Sequence, residues 1–471
     1  MRTKRAGMLV LGVGFVIWSC GGYDATSLPA GSDESAGSGG SGAVTSQTGG
    51  DSSLAAGGSG ASSTGGSAMG GAAPGGSSAG GAATGGAALG GSSAGGAATG
   101  GAALGGSSAG GQATGGSGTG GQGTGGSTDI TGPCDIYAAA NTPCVGAYSM
   151  VRVLSSTYSG PLYQVRSGAP NADRNTGSGG TTHDIGMTAD GFADAAQQDA
   201  VCNGTTCTVS ILYDQSGRGN HLTVAPAGCY TGGDGAAAEP DYESSATRQS
   251  LTAGGHNVYG LYMNAHEGYR NNQAVGTAEG EESQGVYMVA DGTHYGVACC
   301  WDFGTASRDN CYGPTGMMAT LLFGTAWWGR GEGGGPWFMG DFEGGVWAGG
   351  SSVGDPGYGS IEACDANDVN CPPNNDNPSL PVPYAFGILE TSAGQYALRM
   401  GDATSGNLHT AYDGPAPQPW VLEGGIILGI GGDNSNWSYG TFFEGAITAS
   451  RPSVENQEAV YRNVQEAGYG R

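Results

Sequence analysis

The chain has 471 residues, 99 of them glycine, and a formal net charge of −25 with a single lysine, Lys4. So acidic a surface lacks the basic footprint that nucleic-acid binding needs, and it disfavours adhesion to anionic lipid. A neutral partner such as a polysaccharide is compatible with it, and eleven cysteines predict a disulfide framework with one cysteine left over.

At the N-terminus, Arg2, Lys4 and Arg5 precede the apolar run Ala6–Trp18, too short to span a bilayer comfortably. Ser19-Cys20-Gly21 follows, so residues 1–20 read as a signal peptide of bacterial lipoprotein type, with Cys20 lipidated; ordinary cleavage and free secretion is the alternative. Either way the chain is expected to be exported, and a lipid on Cys20 is the expected membrane attachment. Residues 21–131 are almost all Gly, Ala, Ser and Thr, with the fifteen-residue repeat GGSSAGGAATGGAAL at 75–89 and 90–104. Such composition cannot build a core and predicts a flexible tether, with a root-mean-square reach on the order of 55–60 Å for about 110 residues.

Composition changes at Gly132, and 132–471 is long enough for one large domain. Short runs rich in Val, Ile, Tyr and Phe, bounded by turn residues, predict strands at Ser149–Leu154, Leu162–Arg166, Cys207–Tyr213, Val258–Asn264, Gly285–Ala290, Ala319–Phe323, Tyr384–Leu389, Tyr396–Met400 and Gly425–Ile430. Helices are expected at Phe192–Cys202 and Val454–Ala467, the latter with Ser453 as N-cap. Many strands with few helices indicate an all-β sandwich or barrel.

Local disulfides are expected at Cys134/Cys144, Cys202/Cys207 and Cys364/Cys371. Cys229 and Cys311 remain for each other. Cys299 and Cys300 are adjacent, and either bond to each other, presenting a flat apolar surface, or bridge elsewhere, as to Cys229 and Cys311.

Three polar stretches stand out. In GPWFMGDFEGGVWAGG, 335–350, strand alternation turns Trp337, Met339, Asp341 and Glu343 one way and Phe338 and Phe342 the other. Two carboxylates on an aromatic face are costly to bury without partners or a task, the alternative being an edge strand with solvated acids. In GGIILGIGGDNSN, 424–436, a buried strand delivers Asp433 at its end, in a sequence that also makes a good turn. YDQSGRGNHL, 213–222, reads as an Asx-turn loop rather than a metal site. Histidine and cysteine spacings suit no zinc site, and no nucleophile elbow, P-loop or dinucleotide fingerprint stands in a credible context.

GPCDIY…TPC, YDQSGRGNHL, GYRNN (268–272), DGTHY…ACC (291–300), GPWFMGDFEG and ILGIGGDNSN together resemble the catalytic domain of α-L-arabinofuranosidase B, glycoside hydrolase family 54, across 132–471. The resemblance implies a concanavalin-like β-sandwich of jelly-roll type and hydrolysis with retention. It implies Glu343 as nucleophile and Asp433 as general acid/base. It also implies a Cys299–Cys300 disulfide beneath the sugar, and substrate contacts from Asp341, Trp328 and Gly432. Gly344 stands where the family often has asparagine, which puts one hydroxyl contact in doubt. Cys229, Cys311, Cys364 and Cys371 are extra to the family pattern, and the arabinose-binding module that commonly follows is not in this sequence.

Retention requires two carboxyl groups about 5–5.5 Å apart, one ionised and one protonated, which makes a raised pKa at Asp433 the expectation. The chain is therefore expected to be a monomeric, exo-acting hydrolase. It would remove arabinofuranosyl groups from plant polysaccharides or oligosaccharides, with no cofactor or metal. A catalytically silent lectin-like surface protein and a same-fold enzyme acting on another pentoside are the rivals.

Overall fold

The structure, a computed structural model, describes residues 131–230, 238–297, 299–325, 329–352, 355–357 and 372–471. The leader, Cys20, the repeats, Trp328, Cys364 and Cys371 lie outside the described residues.

In chain order, helix α1 (Pro133–Ala139) precedes strands β1 (Cys144–Ser149), β2 (Tyr163–Ser167) and β3 (Thr181–Ile185). Helix α2 (Ala195–Cys202) is followed by β4 (Cys207–Leu212), β5 (Leu222–Val224), β6 (Ser245–Ala253), β7 (His256–Met263), β8 (Tyr269–Asn271) and β9 (Gln284–Tyr295). Next come β10 (Asp302–Ala306), β11 (Ala319–Gly324), β12 (Trp337–Asp341), β13 (Val346–Trp347), β14 (Ala385–Ser392) and β15 (Gln395–Asp402). The domain ends with β16 (Ser405–Pro415), β17 (Gly425–Leu428), β18 (Gly440–Thr448) and helix α3 (Val454–Glu466).

The strands pair antiparallel and build an all-β sandwich. One layer runs β13–β12–β11–β10–β17–β8–β5–β4–β2–β3. The other runs β16–β15–β14–β9–β18, with β7 and β1 sharing the far edge of β18. β11 and β12 lie over β9, β14 and β15. Between the layers, Phe323 stacks on Phe338 at 4.3 Å, Tyr287 on Phe386 at 5.6 Å, and Phe342 meets Tyr396 edge-on at 5.0 Å. Gly387 of β14 admits this packing, since a Cβ there would lie 2.3 Å from the Phe338 ring.

Alternation then decides what the opposite face of the first layer carries. With Phe303, Leu321, Phe323 and Phe338 turned into the core, Asp302, Thr320, Leu322, Met339 and Asp341 turn away from it, in register across β10, β11 and β12. Ile427 of β17 and Arg270 of β8 continue that face.

The helix expected at Phe192–Cys202 begins at Ala195, because Asp194 caps it by accepting from the Gln197 N–H at 3.1 Å. The C-terminal helix runs Val454–Glu466 with the Ser453 hydroxyl accepting from the Asn456 N–H. The strand expected at Ser149–Leu154 is displaced: β1 ends at Ser149, and the buried Val151, Val153 and Leu154 lie beyond it. Cys134–Cys144, Cys202–Cys207, Cys229–Cys311 and Cys299–Cys300 are bonded.

Candidate active site

A pocket of about 370 Å³, its mouth included, opens on that outward face; it is lined by Cys299, Cys300, Tyr312, Met318, Asp341, Glu343, Gly344, Gly345, Val346, Gly432, Asp433 and Ser435. Two loops bring the acids together. β12 ends at Asp341, so Glu343 is not strand-borne as alternation suggested. It sits in the left-handed region at φ 55°, followed by Gly344 at φ 105°. The turn is pinned by the Glu343 N–H donating to Asp341 Oδ1 at 3.2 Å and by the Phe342 carbonyl accepting from Gly316 N at 2.7 Å and Gln418 Nε2 at 3.1 Å. Phe342 itself is buried against Tyr396 and Trp420, and this anchors the loop to the core.

Asp433 comes from the other side, on the turn after β17. Gly431 N donates to the Ser435 carbonyl at 2.8 Å, and Ser435 N donates to Asp433 Oδ1 at 2.9 Å. Gly432 brings backbone against the acid opposite: a Cβ there would lie 2.8 Å from Glu343 Oε2. Beneath Asp341 and Ser435 lies the Cys299–Cys300 disulfide, with Cys300 Sγ 3.8 Å from Asp341 Oδ2 and 3.4 Å from Ser435 Oγ. These sulfur and carboxylate atoms fall within 4.8 Å of one another, but the sulfurs are joined to each other and offer no thiolate to a metal.

Behind the Asp433 loop sits Arg270, a residue the sequence placed only in a motif. Its guanidinium donates to the carbonyls of Gly432 at 2.8 Å and Ser307 at 2.6 Å. It also donates to Ser307 Oγ at 2.7 Å, Asn434 Oδ1 at 3.0 Å and Asn272 Oδ1 at 2.6 Å. Burial pulls its pKa down to about 10, against the fields of Asp309, Asp433, Asp241 and Glu343, so it stays cationic at neutral pH. A buried charge that donates to neutral oxygens fixes a backbone path and still lends its field to the acids in front of it.

Glu343 is perturbed further than Asp341. Burial, then the charges of Asp341 and Asp433, push it up to about 9, opposed by the Gly313 N–H and Arg270. Asp341 is raised to about 7, chiefly by burial. The unliganded pocket therefore stores its proton on Glu343, whereas the chemistry implied by the sequence wants that group ionised.

Of the sequence-designated residues, Glu343, Asp433, Asp341, Cys299, Cys300, Gly432 and Gly344 meet in this pocket. At Gly344 a Cβ would lie 2.1 Å from Thr315 Cγ2, so a longer residue requires the exposed Thr315 side chain to shift. Asp214, in YDQSGRGNHL, accepts from Ala147 N, Ser216 N, Ser216 Oγ and Asn220 N, an Asx-loop arrangement remote from the pocket lining. Tyr312 and Met318 lie outside every stretch the sequence singled out, and Ser435 lies within GGIILGIGGDNSN but had no role assigned to it.

The family described as "Alpha-L-arabinofuranosidase B, catalytic" matches residues 133–470. A probable α-L-arabinofuranosidase B of Aspergillus fumigatus is 43% identical over 348 residues, covering 72% of this chain and 63% of the relative. An α-L-arabinofuranosidase of Hypocrea jecorina is 43% identical over 344 residues with the same coverages. An arabinofuranosidase solved in complex with arabinofuranosyl-α-1,2-xylobiose is 41% identical, with a TM-score of 0.63 over 72% of this chain and 66% of that one. The chain thus spans about 63% of the length of these two curated relatives. It belongs to the α-L-arabinofuranosidase B catalytic-domain family, glycoside hydrolase family 54.

Proposed function

We propose that the domain is an exo-acting, retaining α-L-arabinofuranosidase, with Glu343 as nucleophile and Asp433 as general acid/base. The observation that carries this reading is the meeting of Glu343 and Asp433, delivered by separate loops, in one small pocket over a flat disulfide. In the first half-reaction the Glu343 carboxylate attacks the anomeric carbon while Asp433 protonates the departing oxygen. In the second, Asp433 takes a proton from water, which attacks the same carbon and releases Glu343. The small volume suits one terminal furanose ring, and the sugar's apolar face would rest on Cys299 and Cys300.

The productive form has Glu343 ionised and the proton to be donated on Asp433. Asp341 makes the larger charge contribution to the raised value of Glu343. Sugar hydroxyls that donate to Asp341 spread its charge, so substrate entry favours the ionised nucleophile. At the mouth of the pocket Tyr312 is 43% exposed, and Trp437, whose backbone N–H donates to the Cys299 carbonyl at 3.3 Å, is 46% exposed. These rings offer apolar surface to the remainder of a neutral polymer such as arabinoxylan or arabinan.

The same reading takes residues 1–20 as an export signal, 21–131 as a tether, 132–471 as the catalytic domain and Cys20 as a lipid anchor on a monomeric, cell-surface protein. Mass spectrometry of the mature N-terminus tests the anchor. The activity is tested by following the anomer released from 4-nitrophenyl α-L-arabinofuranoside: the α-sugar appears first under this proposal, and initial β-sugar contradicts it.

A further inference from the structure

Asp302 is a buried acid that the reaction above leaves unused. It opens β10 and has no exposed surface. Its Oδ2 accepts from Thr320 Oγ1 at 3.1 Å, and among the described residues Oδ1 has no donor to accept from. On the outward face, Asp302 lies diagonally across β11 from Asp341: Asp302 pairs with Leu322, and Thr320 pairs with Asp341. Thr320 Oγ1 also lies 3.4 Å from the Asp341 carbonyl. The two carboxyl groups act on each other closely enough for one to donate a hydrogen bond to the other. Such a bond needs one proton, and position decides which partner holds it. Asp302 has no exposed surface and faces only Thr320 as a donor, whereas Asp341 also accepts from the Glu343 N–H and opens on the pocket.

We propose that Asp302 is a positioning residue: as the neutral acid it donates a hydrogen bond to Asp341, keeping that carboxylate ionised and aimed to accept hydroxyls of the bound furanose. This rests on the arabinofuranosidase reading and names a device within the same site. The charged groups that reach Asp302 are Asp341, foremost after burial, and Glu343, both of which favour its neutral form. β11 and β17, which flank β10, carry no titratable side chain, and β12 carries only Asp341. In the other direction, the Asp302 hydrogen bond holds the Asp341 value down. Without it, the Asp341 value would climb above about 7, so the group would already be protonated at neutral pH and lose acceptor capacity for the sugar.

The test compares full-length wild type, Asp302→Asn and Asp302→Ala on 4-nitrophenyl α-L-arabinofuranoside across pH. An asparagine keeps both bonds, its Nδ2–H donating to Asp341 and its Oδ1 accepting from Thr320. D302N is therefore expected within about threefold of wild type. D302A is expected to raise KM by about tenfold, the order of one hydrogen bond to a charged group, and to move the acidic limb of kcat/KM upward by about one pH unit. D302N as impaired as D302A, or both variants behaving as wild type, overturns the proposal. Thermal unfolding of wild type and D302N from pH 4 to 8 reads the proton without substrate. An acid neutral only in the folded state makes wild type lose ground to D302N as pH rises. A gap that is constant or narrows with pH overturns the proposal. If wild type fails to turn over any arabinofuranoside, the enzymatic reading falls by itself, and the unfolding series alone decides whether Asp302 holds the proton.

Discussion

Replacing Glu343 by glutamine is expected to stabilise the fold at neutral pH while abolishing turnover. Glu343 is 6% exposed, and its burial and two acidic neighbours push it up to about 9. An unfolded chain releases that proton near pH 4.5, so between those values the folded protein binds one more proton than the unfolded one. Stability then falls as pH rises through that window. At pH 7 the ceiling on the cost is about 3 kcal/mol, from roughly 2.5 pH units at 1.36 kcal/mol each. Glutamine keeps the volume and has no proton to lose, so the variant's advantage is near zero at pH 4.5 and grows toward a ceiling of about 4 kcal/mol at pH 7.5. In a domain of this size that is an increase of several degrees in Tm. Differential scanning calorimetry of both full-length proteins at pH 4.5, 6 and 7.5 measures it. A gap independent of pH, or one shrinking as pH rises, would refute the claim that the pocket raises this carboxyl.

Three further outcomes are expected. Gly344→Ala strains a backbone at φ 105° and presses on Thr315, so it should cost about 1–3 kcal/mol of stability and lower kcat/KM, read by unfolding and kinetics; a neutral effect would show that the turn adapts. Arg270→Met removes the donors to the Gly432 and Ser307 carbonyls and to Asn434; the orphaned buried acceptors should cost about 3 kcal/mol or more and the displaced Asp433 should lower kcat, as steady-state kinetics and urea titration would reveal. Trp437→Ala should raise KM on arabinoxylan by about tenfold, the order of one lost aromatic contact, and leave the aryl glycoside within about twofold; equal loss on both substrates would remove the polymer-binding role.

The sequence made the sandwich legible where a strand has one buried face or is buried throughout. Leu162–Arg166, Cys207–Tyr213 and Gly425–Ile430 fall within two residues of the observed β2, β4 and β17. It did not reveal β18, GTFFEGAIT, although every residue of that strand is buried. Its glycines and Glu444 break any apolar alternation, and Glu444 is tolerable there only because Arg152, distant in the chain, pairs with it at 2.7 Å. The polar, largely exposed β16 escaped for the opposite reason. At the site, two acids in glycine-rich settings stood out as sequence, and the resemblance supplied their roles. Asp302 and Arg270 did not stand out. What makes them unusual is zero or near-zero exposure beside other charges, and that exists only once β8, β17, β10, β11 and β12 lie side by side. Alternation put Asp341 and Glu343 on one strand face, but the left-handed turn at Glu343 folds it between Asp341 and Asp433, and their charges raise it.

Azide rescue of Glu343→Ala on 4-nitrophenyl α-L-arabinofuranoside tests the central claim most directly. If Glu343 is the nucleophile, the variant loses at least about a thousandfold in kcat, the order expected when a group bonding the reacting carbon is removed. Azide then restores release of nitrophenol by attacking the anomeric carbon itself, giving the β-glycosyl azide. Undiminished turnover in Glu343→Ala would contradict the account. So would rescue confined to Asp433→Ala with the β-glycosyl azide as product, since that would place the nucleophile on Asp433.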